Sequence, residues 1–310
     1  MKRWLVTLVA LAWGWALPAT AQISMVVNFS AGGPSDIVAR LMQNDMAAAL
    51  GQPVVVRNVT GAGGTIGTAE VTRARPDGQT ILLSPIGPVA IQPHFRSNLS
   101  YKLENLAAIC QVADSPVIMM TPKNSGLRRV ADVIARAKAE NGGMPFASTG
   151  AGSIPHISMV ALMRAANIQM NHVPFRGSGE VMLAFQQGQL QLFTDQTLLI
   201  RQYDLHPIAF LTAARNPEFP EVPTMREEGH DLVYTIWSGL YAPAGTPEPV
   251  MARLEAACER AVKTESFIEG MKRVAQPILY RNRADFAAFS RSESEKFRGL
   301  IEATGLRSAE

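Results

Sequence analysis

Cysteine is scarce: Cys110 and Cys258 are the only two in 310 residues, and a chain of this length needs no disulfide staple to fold. Charge is scarce too. Asp, Glu, Lys and Arg make up 18% of the chain against about 25% in a typical soluble domain. With 47% hydrophobic residues, this excludes a disordered or coiled-coil chain. No stretch interleaves clustered Lys and Arg with aromatic residues, so no nucleic-acid partner is expected although the pI is near 9. The five histidines, His94, His156, His172, His206 and His230, lack the spacing of metal ligands, and neither metal nor cofactor is expected. Beyond the first residues no apolar run approaches the roughly 20 residues a spanning helix needs. There is no G-x-S-x-G elbow. Gly61-Ala62-Gly63-Gly64-Thr65-Ile66-Gly67 lies between a strand pattern and a helix pattern, yet Ile66 stands where the third glycine of a dinucleotide fingerprint belongs. No strand ending in an acidic residue follows about 20 residues on, so the nucleotide reading fails twice.

What is present starts at the first residue. Lys2 and Arg3 precede the apolar run Trp4 to Leu17, and Ala19-Thr20-Ala21 forms an A-x-A site before Gln22. That is the pattern of a secretory signal peptide over residues 1–21, cleaved after Ala21, and it predicts an exported mature chain. A membrane anchor would need a longer run. The formal charge of +3 includes Lys2 and Arg3; without those two of 29 basic residues, 27 stand against 26 acidic ones. Export permits a disulfide between Cys110 and Cys258, while two buried free thiols suit their spacing as well.

At roughly 150 residues per domain the length suggests two domains. Strand patterns at Met25 to Phe29, Pro53 to Val56 and Thr80 to Leu83 alternate with a helix from Asp36 to Leu50 and one through Ala69-Glu70-Val71. This alternation predicts an α/β fold with largely parallel sheets. Two extended stretches, Leu106 to Val112 and Pro116 to Pro122, then run nearly back to back and predict a crossover between domains. A second α/β set follows, and Val233 to Trp237 predicts a return crossover. Pro247 to Gly305 reads as helical, with Cys258 on the apolar face of Val250, Leu254, Ala257 and Ala261.

Small, hydroxyl-rich loops fall where strands lead into helices, the position at which open sheets hold ligands. They are Ser30 to Asp36, Ser84 to Gly87, Ser148 to Ser153 and Pro174 to Gly179. Ser35 is a natural N-cap. Helix starts offer unpaired N–H groups to an anion, and Arg176 is the only basic side chain in these loops. Each loop alone also fits an ordinary capped turn; four in two lobes point to a site. Asp36 and Asp195 fit a carboxylate pair, loop anchors, or a partner for a ligand amino group. His156 fits a helix-start residue or a ligand contact better than a base for Ser153.

In order, these segments resemble the Bug or TctC family, the periplasmic solute receptors of tripartite tricarboxylate transporters, over nearly the whole mature chain. The resemblance rests on Phe29 to Arg40 (FSAGGPSDIVAR), Leu50 to Val56 (LGQPVVV), Gly61-Ala62-Gly63-Gly64 with Pro76-Asp77-Gly78, and His172 to Gly179 (HVPFRGSG). Val222-Pro223-Thr224 and Ala242 to Pro247 (APAGTP) extend it. It implies a two-lobed Venus-flytrap fold of the type II periplasmic binding protein kind, with two crossover strands as hinge. Lobe 1 would comprise 22–112 and 234–310, and lobe 2 would comprise 113–233. It also implies a carboxylate held by Phe29, Gly33, Pro34, Ser35, Ser84 and Ile86 from lobe 1. Thr149, Gly150, Ser153, His156, Phe175, Arg176 and Asp195 would hold it from lobe 2. The family usually has proline where Asn28 stands, and a more Thr/Ser-rich second loop than Ile86, Pro88 and Val89 make here.

With Phe29, Ile86 and Phe175 near the site, the expected ligand is an apolar-bodied carboxylate, such as the aromatic dicarboxylate terephthalate. The expected role is a monomeric, non-enzymatic receptor that closes on its ligand and delivers it to a membrane permease. The alternatives are an exported hydrolytic enzyme and an adaptor presenting the ligand to a membrane sensor kinase.

Overall fold

A computed structural model describes residues 22–306; the expected signal peptide lies outside the described residues. Strands β1 (Ile23–Val27), β2 (Val54–Asn58) and β3 (Thr80–Pro85) are linked through helices α1 (Pro34–Leu50) and α2 (Thr65–Thr72). They pair in parallel in the order β2-β1-β3, with Val27 level with both Asn58 and Leu83. Their carboxyl ends therefore finish at one edge, and the loops that leave that edge build one wall of a cleft. α1 buries Val38, Ala39, Met42, Met46 and Leu50, the three-to-four spacing of one helix face. Its start corrects the expectation that Ser35 is the cap. Gly33 caps the helix, its carbonyl accepting from the Ile37 N–H at 3.0 Å. Pro34 takes the first helical position, where its missing N–H is no loss, so Ser35 falls in the first turn.

After the short helix α3 (Gln92–Phe95), β4 runs from Leu106 to Thr121 as one 16-residue strand. The break expected near Ala113 is absent, because Asp114 and Ser115 stay in the ladder opposite Trp237 and Ile236. The second lobe follows with α4 (Val130–Ala139), β5 (Pro145–Ser148), α5 (Ile154–Ala165) and β6 (Asn171–Pro174). It is completed by α6 (Ser178–Gln186), β7 (Phe193–Gln196), α7 (Leu198–Tyr203) and β8 (His206–Phe210). β7 and β8 pair antiparallel with the far end of β4, Val117 to Thr121. β9 (Thr235–Pro243) then returns beside β4, from Thr235 opposite Pro116 to Pro243 opposite Leu106, and also pairs with β3. β4 and β9 are thus the two strands that join the lobes.

The chain ends with α8 (Glu248–Val262), α9 (Glu265–Arg273), β10 (Ile278–Arg281) and α10 (Arg283–Thr304). β10 interrupts a stretch that reads as helical; it is a half-buried edge strand pairing with β4, and such short edges carry little pattern. Helices α1, α8 and α9 cover one face of the first sheet through Met42, Met46, Leu254 and Phe267, whereas Trp237, Tyr241, Phe286 and Phe297 fill the other. Phe185, Phe193, Leu199 and Phe210 form one core cluster of the second lobe, and Val133, Phe146 and Leu162 belong to another. Cys110 on β4 and Cys258 on α8 are fully buried and joined by a disulfide, which decides between the two alternatives their spacing left open.

Candidate ligand-binding cavity

Between the lobes lies a cavity of about 410 Å³, a figure that counts the open space at its mouth. The first lobe contributes Phe29, the start of α1 (Gly33, Pro34, Ser35) and the turn Pro85-Ile86-Gly87. The second contributes Thr149, the start of α5 (Ser153, Ile154, Pro155), Ser178 at the start of α6, and Asp195 and Gln196 on β7. Ile236 on β9 closes the floor. Helix starts from both lobes therefore converge on one space. In α1 the first helical bond is that of the Ile37 N–H, and in α5 that of the Ile157 N–H to the Ser153 carbonyl at 2.9 Å. The N–H groups before them, Ser35 and Asp36 in α1 and Ile154 and His156 in α5, carry the positive ends of their helices. The hydroxyls of Ser35 and Thr149 add donors with no side-chain hydrogen bond among the described residues. The remaining wall, Phe29, Pro85, Ile86, Ile154, Pro155 and Ile236, is apolar.

Five residues expected at the ligand fall outside this lining. Ser84 is fully buried behind it, accepting from Asn28 Nδ2 at 2.8 Å and donating to the Pro85 carbonyl at 2.9 Å. Asn28 also donates to Thr68 Oγ1 at 3.0 Å, so it ties the ends of β1 and β3 to α2, a role that proline, having no side-chain donor, lacks. Gly150 serves the loop, its carbonyl accepting from the Ser153 hydroxyl at 2.7 Å. His156 Nδ1 accepts from the Gly152 N–H at 3.2 Å, so neither Ser153 nor His156 is engaged with the other. His156 stacks on His172 at 4.2 Å between ring centroids, and His172 Nε2 is hydrogen-bonded to Ser148 Oγ at 2.6 Å. Burial and the facing His172 push His156 down to about 3, and burial takes His172 down to about 4. The pair is neutral and holds the loop from beneath. Phe175 is half-buried, its N–H bonded to the Ser148 carbonyl at 2.9 Å. Arg176 is exposed and its backbone N–H donates to Glu180 at 3.1 Å. Arg176, which the resemblance implies as a ligand contact, thus lies outside the lining: Gly177 and Ser178 turn inward, and the long side chain before them stays in water.

The two aspartates part company. Burial would raise Asp36, but bonds from Arg40 Nε at 3.0 Å, the Gly32 N–H at 3.0 Å and Asn58 at 3.0 Å outweigh it and hold the carboxyl below its ordinary range. Asp36 is a loop anchor. Asp195 lines the cavity, buried, accepting from the Ser178 hydroxyl and from the Gln196 N–H at 2.9 Å. Burial pushes it up to about 7 against those two bonds. No Lys, Arg or His lines the cavity, and among the described residues no cluster of three or more His, Cys, Asp or Glu is arranged to hold a metal.

The glycines of the loops serve the seam between the lobes. A β-carbon on Gly179 would collide with the Ala31 carbonyl, one on Gly177 would lie 2.6 Å from the Ser30 nitrogen, and one on Gly150 would lie 2.7 Å from the Gly63 Cα. Gln92 of the first lobe donates across the seam to the Ala151 carbonyl at 2.6 Å. The lobes are closed on the cavity, and bare backbone lets them meet.

Sequence reasoning missed Pro85, Gly87, Ile154, Pro155, Ser178, Gln196 and Ile236 in the lining. Most are neighbours of residues it selected. Ile236 had a signal of its own, since a strand crossing between lobes must pass under the cleft.

Comparison with known proteins bears on the same geometry. A family model described as the tripartite tricarboxylate transporter family receptor, TctC, matches residues 38–306. Protein BugT of Bordetella pertussis is 30% identical over 292 residues, covering 92% of this chain and 90% of its own. The structure of the periplasmic binding protein BugD superposes with a TM-score of 0.87 at 30% identity, covering 92% of this chain and 98% of BugD. MatC from Rhodopseudomonas palustris with bound malate superposes with a TM-score of 0.85 at 28% identity, covering 90% of this chain and 98% of MatC.

Proposed function

The chain belongs to the tripartite tricarboxylate transporter receptor family, and from that membership we propose that it captures a small carboxylate between its lobes in the periplasm and delivers it to a membrane permease. The carrying observation is the convergence of helix starts from both lobes, with the Ser35 and Thr149 hydroxyls, on one cavity between the lobes. Such N–H groups bind a carboxylate without a buried cation. A ligand touching both lobes binds the closed form better than the open one and shifts the hinge equilibrium toward closure. In this reading lobe 1 comprises 22–112 and 234–310, lobe 2 comprises 113–233, β4 and β9 act as the hinge, and the receptor works as a monomer. Malate in the MatC structure supports a carboxylate as the ligand class.

The apolar wall supports an apolar-bodied acid, terephthalate being the example, over a hydroxylated one such as citrate. The receptor reading is favoured over hydrolysis because the Ser153 hydroxyl is bonded to its own loop. The test is a thermal-shift panel of malate, citrate, adipate and terephthalate on the mature protein, followed by calorimetry. Stoichiometric binding with recovery of unchanged acid is expected, terephthalate stabilising most. Turnover of the acid would contradict the receptor, and stabilisation by citrate with none by terephthalate would contradict the apolar preference.

A further inference from the structure

A cavity built for an anion has one ionisable side chain in its wall, and that side chain is an acid. Asp195 is 3% exposed and lines the space between the lobes. Its surroundings offer no compensating cation. On β4 its partner in the ladder is Ile118. Near Ser178, Glu180 on α6 accepts from the Arg176 backbone N–H, and the Arg176 side chain is exposed to solvent outside the lining. On α5, His156 is held neutral in its stack with His172. On α7, Arg201 is paired with Glu218 at 3.0 Å, and across the cleft on α1, Asp36 is neutralised by Arg40. A ligand carboxylate resting on the helix starts thus shares a desolvated space with a second carboxyl, and two like charges in one site cannot both stay ionised.

Resting on the carboxylate-receptor reading above, we propose that Asp195 sets the charge this cavity accepts, so that a carboxylate is captured together with one proton from solvent, held on the Asp195 carboxyl. The geometry suits it. Protonated Asp195 donates to the Ser178 hydroxyl or to the ligand, and the Gln196 N–H still serves its other oxygen at 2.9 Å. In the empty cavity burial brings Asp195 up to about 7, so above that pH the free protein holds it ionised and has a proton to gain on binding. A bound anion raises it further. Asp195 is therefore a specificity-determining residue: it rejects a permanently ionised second pole unless a proton accompanies it.

Calorimetric titration of the mature protein with malate and with terephthalate, in buffers of different ionisation enthalpy, counts the protons. Between about pH 7 and 9 both acids are fully ionised, so pH acts on the protein. The expected result is a proton uptake that rises toward one per ligand as pH is raised above about 7, and an affinity falling roughly tenfold per pH unit above about pH 8. In Asp195→Asn, which keeps an acceptor for the Gln196 N–H and a donor for Ser178, affinity is expected to be flat with pH. Should that variant fold poorly, Ser178→Ala removes a bond that favours the ionised form and moves the onset of the fall to higher pH. Binding with no proton uptake, or an affinity that rises with pH, overturns the inference and leaves the receptor reading standing. No binding of either acid at any pH overturns both.

Discussion

Ser35 and Thr149 face the cavity from opposite lobes, whereas Arg176, the one cation in the four loops, points to solvent. If the hydroxyls hold a carboxylate, each makes a bond to a charged group, worth about 1.5–3 kcal/mol. Ser35→Ala and Thr149→Ala are each expected to weaken ligand binding by roughly tenfold or more, while Arg176→Ala changes it by less than about threefold, as fits a solvent-screened charge. Calorimetry on the three variants checks the contrast, and a large loss in Arg176→Ala would return the arginine to the site. The stacked histidines make a second residue-scale claim. Both are neutral in the fold and ionise far below their ordinary value, so the unfolded chain gains protons first as pH falls. Their contribution to stability is present above about pH 6.5 and lost as pH drops toward about 4. Asp195, raised by burial, runs the other way, its share shrinking as pH rises from about 4 to about 7. The comparison must therefore be with His172→Gln, which keeps a partner for Ser148 and removes one titration. Its melting temperature is expected to fall less steeply than the wild type's between about pH 6.5 and 4.

At the scale of elements, closure depends on backbone meeting backbone. Gly179 sits in the first turn of α6 beneath the Ala31 carbonyl, and an alanine there suits a helix in the open protein but collides in the closed one. Gly179→Ala is expected to lower ligand affinity at least tenfold without lowering the melting temperature of the free protein; loss of stability with unchanged affinity would place the glycine in folding rather than in closure. The same loops show how far sequence reading reaches. Strand–helix alternation was legible because β-branched runs and three-to-four periodicity, as in Val38, Met42 and Met46, are local. The loops at the cleft were legible because small residues cluster where strands lead into helices. Side-chain direction was not, since the inward turn at Gly177-Ser178 that leaves Arg176 outside depends on Ser30 and Ala31 from the other lobe. β10 was not legible either, because four half-buried residues carry neither period. The pairing of Cys110 with Cys258 depended on α8 packing over β4, across a sequence separation of 148.

The whole molecule is two lobes joined by β4 and β9, with the cavity beneath the loops of both and Ile236 at its floor. The disulfide closes a loop that contains the entire second lobe, from one hinge strand to the helix after the other. The chain's formal charge of +3 is small for 310 residues, so selectivity for a carboxylate rests on local donors from both lobes acting together. That is the central claim, and a crystal structure of the protein grown with the most stabilising acid of the panel tests it most directly. The account predicts one intact carboxylate between the lobes, its oxygens on the N–H groups and hydroxyls of Ser35 and Thr149 and its body against Phe29, Ile86 and Ile236. An acid bound to one lobe alone, or seated elsewhere with this cavity empty, would contradict it.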